Sequence, residues 1–87
     1  MINLFINHCK KYYVMSEAEK QGLRDNILSE LLKQFPALKP KIVTLLEKTF
    51  TYELERNNNY SYYIVEYSVT QSGKLKIDWE SAAMTMI

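Results

Sequence analysis

His8 and Cys9 stand side by side near the start of the chain, and a thiol next to an imidazole is the pairing here with the ingredients of nucleophilic catalysis. Their spacing works against it. Adjacent residues on a helix diverge by about 100°, so the two side chains cannot act together as nucleophile and base within one chain. Cys9 falls on an apolar stripe, where it reads as a small buried hydrophobe, and His8 reads as a surface residue. One His and one Cys among 87 residues supply neither a zinc framework nor an internal disulfide, and a reducing, cytoplasmic setting is expected. No run has the spacing of a calcium loop, and two glycines do not make a phosphate cradle. No catalytic residue, metal ligand or cofactor is assigned, and an enzyme is not expected.

The remaining chemistry is that of surfaces. The stretch RNNNYSYYIVEY, residues 56–67, holds four of the seven tyrosines. An aromatic sheet that stacks single-stranded nucleic acid needs a positive field beside its rings. Here the alternation instead groups Tyr60, Tyr62 and Ile64 with Glu53, Glu66, Asp78 and Glu80, which is a negative surface carrying two rings. Glu66 and Asp78 are expected to lie opposite each other, a like-charge pair that costs a sheet stability and can mark a contact surface.

The elements that position these residues follow from period and punctuation. Ile2, Phe5, Ile6, Cys9, Tyr12 and Tyr13 recur at helical spacing and predict a helix over 2–13. SEAE places Ser16 at an N-cap with Glu19 three residues on, a capping box, and Leu23, Ile27, Leu28, Leu31 and Phe35 carry that helix over 16–35 until Pro36. Pro40 suits a first helical turn, and Ile42, Leu45 and Leu46 suggest a third helix over 39–48. In TFTYELE the period becomes two, which predicts a strand over 49–56, with a continued helix as the competitor.

Two hairpins complete the reading. A two-residue turn at Asn58 and Asn59 would set Leu54 opposite Tyr63, Tyr52 opposite Val65 and Phe50 opposite Tyr67. A loop of Gln71, Ser72 and Gly73 would set Val69 opposite Leu75, Tyr67 opposite Ile77 and Val65 opposite Trp79. Strands are therefore expected over 60–70 and 74–80, with 82–87 a candidate fourth. The apolar C-terminal SAAMTMI is a candidate dimer contact.

The expected fold is α+β: a single domain spanning 1–87, with three N-terminal helices packed on one face of a three- or four-stranded antiparallel meander. No apolar run reaches membrane-spanning length, and no membrane association is expected. The net charge of +1 divides unevenly, with lysine in excess in the first half and carboxylates in excess in the second. Function is expected to be non-enzymatic binding, in which the acidic, tyrosine-bearing face occupies a basic surface of a partner protein. In composition the chain is similar to the small inhibitors and regulators of phages and other mobile elements. The alternative is a winged-helix-like DNA-binding regulator, with Lys39, Lys41 and Lys48 on the third helix and Lys74 and Lys76 at a hairpin tip.

Overall fold

A computed structural model describes residues 15–86. The predicted helix over 2–13, with His8 and Cys9, lies outside the described residues. Within them a single helix, α1 (Glu17–Gln34), precedes four strands, β1 (Lys41–Leu45), β2 (Thr49–Arg56), β3 (Asn59–Val69) and β4 (Leu75–Thr85). The strands form one antiparallel sheet in sequence order, β1-β2-β3-β4.

The helix begins as its cap residues dictate. The Ser16 hydroxyl accepts from the Glu19 amide and the Glu19 carboxylate accepts from the Ser16 amide, both at 3.1 Å, so two otherwise unpaired donors are satisfied. Leu23, Ile27 and Leu31, each one turn beyond the last, are the buried stripe of α1. They meet Leu45, Phe50, Tyr52, Leu54, Val65 and Tyr67 from the sheet to form the core. Phe35 at the helix end stacks on Tyr52 at 5.7 Å and meets Trp79 edge-on at 6.0 Å, so the aromatic layer continues past the last helical turn.

Three helices on a meander is not the fold. The segment 39–48, expected to be helical, contains the edge strand β1, and the reason is a bulge. Ile42 pairs with Tyr52 and Leu45 with Phe50, while the register shifts at Val43 between them. The inserted residue puts Ile42 and Leu45 on one face three positions apart, a spacing that a regular strand never shows and a helix always does. Pro40 stands just before the strand, where its missing amide takes nothing from the ladder, and Lys39 before it takes a positive φ of 48°.

Both hairpins form. The β2–β3 turn uses Asn57 and Asn58, with φ of 51° and 65°, the two positive values of a type I′ turn. The predicted turn at Asn58 and Asn59 was one residue late, and the pairing is Leu54 with Ser61, Tyr52 with Tyr63 and Phe50 with Val65. That is a slip of two residues, which leaves every side chain on its expected face. In the second hairpin Val69 pairs with Leu75 and Tyr67 with Ile77 as expected, and Gly73 sits at φ 87°.

Beyond Asp78 the ladder jumps. Ile64 pairs with Ala83, so residues 79–82 crowd opposite Val65 alone. The Ser81 hydroxyl sits at the break: it accepts from the Glu66 amide at 2.8 Å and donates to the Asp78 carbonyl at 2.7 Å, linking the last regular pair of the ladder. The expected pairing of Val65 with Trp79 does not occur. The segment 82–87 is not a separate fourth strand either, since β4 runs through to Thr85 and the fourth strand of the sheet is β1.

Candidate functional site

Alternation divides the sheet into an inner face under α1 and an outer face on which no described element packs. In register across the outer face lie Lys41 and Thr44 of β1, Glu53 and Thr51 of β2, Tyr62, Ile64 and Glu66 of β3, and Thr85, Ala83 and Asp78 of β4. Tyr60, at the turn end, is 54% exposed and Ile64 37%. Thr51, between Thr44 and Ile64, is buried. Tyr63 and Tyr67, whose rings would have enlarged the patch, point inward: Tyr63 stacks on Tyr52 at 5.4 Å, and the Tyr67 hydroxyl donates to the Leu46 carbonyl in the β1–β2 turn.

The structure therefore brings together Tyr60, Tyr62, Ile64, Glu53 and Glu66, and sets Asp78 directly opposite Glu66. Glu80 is displaced. It lies in the bulged stretch and not beside Ile64, whose neighbour on β4 is Ala83. The patch is also less uniformly acidic than the sequence suggested, because β1 is a strand of the same sheet. Lys41 pairs with Glu53, and the Lys39 ammonium lies 3.9 Å from the Glu55 carboxylate. Sequence reasoning missed both cations because it wound them onto a helix; the β-branched run Ile42, Val43 and Thr44 was the signal that favoured a strand.

The five lysines of the DNA-binding alternative do not share an element. Lys41 lies on β1, Lys39 just before it, Lys48 in the following turn, Lys76 on β4 and Lys74 in the preceding loop. The helix that would enter a major groove is an edge strand.

Tyr62 has the most distinctive electrostatics of the patch. Its hydroxyl stays protonated beyond the usual tyrosine range because it is partly desolvated, because the Glu53 carboxylate accepts its proton in a hydrogen bond, and because the charges of Glu53 and Tyr60 oppose a phenolate. Tyr52 is raised too, by burial first and by neighbouring Tyr63 second. In both, the folded value lies above the unfolded value near 10.0, so the unfolded chain loses these protons first. Their contribution to stability is full below pH 10.0 and drains away as pH rises through the folded values. A phenolate absorbance titration should show a late-titrating component, reduced in Tyr62→Phe, and that variant should keep more of its neutral-pH stability under alkali. A titration in which Tyr62→Phe matches the parent would contradict the arrangement.

Among the described residues no group of three or more His, Cys, Asp or Glu side chains could hold a metal ion, and no helix is long and apolar enough to cross a membrane. Comparison with known proteins finds no family, no curated protein and no solved structure that matches the chain.

Proposed function

We propose that this is a small non-enzymatic binding protein, acting in the cytoplasm, that occupies a basic surface of a partner protein with the outer face of its sheet. The observation that carries this reading is the placement of Tyr60, Tyr62 and Ile64 on a face that no described element covers, flanked by Glu53 and Glu66. Tyrosine gives a large contact area and a polar tip at low rotamer cost, and carboxylates around it favour a cationic partner. The Glu66–Asp78 pairing agrees with this, since a like-charge pair that weakens the free sheet is relieved when cations dock over it. Lys39 and Lys41 along β1 limit the acidic area to the middle of the sheet and so to a compact cationic patch on the partner. An inhibitor or regulator that blocks a basic groove would work in this way.

Affinity capture with the parent chain and with Glu53→Lys and Tyr60→Ala variants tests the reading. Species retained by the parent, released by rising salt and lost from both variants are expected. Retention of the same species by both variants would remove the outer face as the docking surface.

A further inference from the structure

The two edges of this sheet are built differently. β1 is short, is preceded directly by Pro40 and is kinked by the bulge at Val43, all devices that discourage pairing with another strand. β4 is 11 residues long and contains neither proline nor glycine, and its first stretch, residues 75–78, pairs with β3 in unbroken register before the break that follows Asp78. Its own sequence, together with the preceding lysine, reads Lys74-Leu75-Lys76-Ile77-Asp78-Trp79-Glu80: two cations, then two anions, alternating with apolar residues about Ile77.

We propose that β4 pairs antiparallel with β4 of a second copy of this chain, about a two-fold axis through Ile77. In that register Lys76 faces Asp78 of the other copy, Lys74 faces Glu80, Leu75 faces Trp79 and Ile77 faces itself. The charge pattern selects it. Moving the axis one residue either way turns Lys76 onto Lys76 or Asp78 onto Asp78, and centring it on Trp79 sets Asp78 against Glu80. Self-pairing about Ile77 is thus the arrangement in which Lys76 and Asp78, the charges of the regular stretch of β4, both meet their opposites.

The hydrogen-bonding direction agrees independently. The Thr70 amide donates to the Lys74 carbonyl at 2.9 Å, so Lys74 turns its carbonyl toward β3. The Asp78 carbonyl likewise points toward β3, where the Ser81 hydroxyl reaches it. Because these directions alternate along a regular strand, Leu75 and Ile77 present their amides and carbonyls, and Trp79 its amide, to the edge that no described strand covers. Those are the residues that the proposed register places opposite one another as hydrogen-bonded pairs. Lys76 and Asp78 then form the non-hydrogen-bonded pairs, in which side chains approach most closely.

Two features of the single chain are accounted for as well. Asp78, set against Glu66 inside the sheet, gains a lysine on its other side. Leu75, Ile77 and Trp79, only half-buried at the rim of the inner face, gain apolar neighbours. The axis is perpendicular to the sheet, so both copies of α1 lie on the same side of one eight-stranded sheet. The inference does not rest on the outer-face docking reading, and its test uses no partner protein.

Sedimentation of the parent chain at rising concentration should show the mass of two chains. Lys76→Asp alone and Asp78→Lys alone each create like-charge pairs across the axis and should weaken association on the order of tenfold or more. An equimolar mixture of the two variants should recover association, because one copy then carries both anions and the other both cations. The double exchange, Lys76→Asp with Asp78→Lys, should also associate. Circular dichroism checks that each variant is folded; should either single variant not fold, amide exchange in the parent decides. There Ile77 and Trp79 should gain protection with concentration and Lys76 should not. A parent chain that stays a monomer at the highest attainable concentration, single variants that associate as the parent does, or a mixture that fails to recover would each overturn the proposal.

Discussion

Phe50→Ala should cost about 3–5 kcal/mol of folding stability. Phe50 has no exposed surface; it pairs with Leu45 on one side and Val65 on the other, and its ring lies 5.9 Å from Tyr52 and 5.8 Å from Tyr67. Removing it empties the point where three strands and the helix converge. The neighbours cannot close the gap, since Tyr67 is tied by its hydroxyl to the Leu46 carbonyl and Tyr52 is stacked between Phe35 and Tyr63. Domains of this size hold only about 5–15 kcal/mol in total, so the variant should unfold at far lower urea and carry a substantial unfolded fraction on warming. Fluorescence of Trp79, the single tryptophan, reports the transition from within the aromatic layer. A midpoint within experimental error of the parent would mean that the core is not centred on Phe50.

Leu31→Ala should cost about 2–5 kcal/mol, whereas Leu32→Ala should change stability by no more than about 0.5 kcal/mol. The two residues are neighbours of the same type. Leu31 is wholly buried beneath the sheet and Leu32 is 48% exposed. Because alanine is also the better helix former, whatever Leu32 contributes by partial burial is partly offset. The pair of urea curves therefore reads the orientation of α1 directly: similar losses at both positions would show that the helix is rotated about its axis or that its solvent face is covered.

Much of this architecture could be read from the residues because local signals agreed with one another. The Ser16 and Glu19 cap and the Leu23, Ile27 and Leu31 stripe locate the helix, alternation in TFTYELE locates β2, and Gly73 locates the last turn. What misled was irregularity. The Val43 bulge gave an edge strand the spacing of a helix. Three consecutive asparagines offered two equally acceptable turns that keep the same residues inward, and the one that forms sets Phe50 opposite Val65 rather than Tyr67. The break after Asp78 has no sequence mark except Ser81, whose hydroxyl is common in regular strands also. Alternation alone put Tyr60, Tyr62, Glu53, Glu66 and Asp78 on one face of the sheet, where the structure also has them, while the break carried Glu80 off that face's patch and the bulge hid Lys39 and Lys41 beside it.

The break at Ser81 also decides what the end of the chain shows to its surroundings. Had β4 run straight, Met84 would have come up beside Tyr60 and made that surface greasy. The crowding of four residues opposite Val65 rolls the strand over, sends Met84 to the opposite side across from Tyr63, and lays the small, neutral Ala83 and Thr85 next to Ile64 and Tyr62. The two rings are left standing above a low floor, so a visiting chain meets them edge and face with little to climb over.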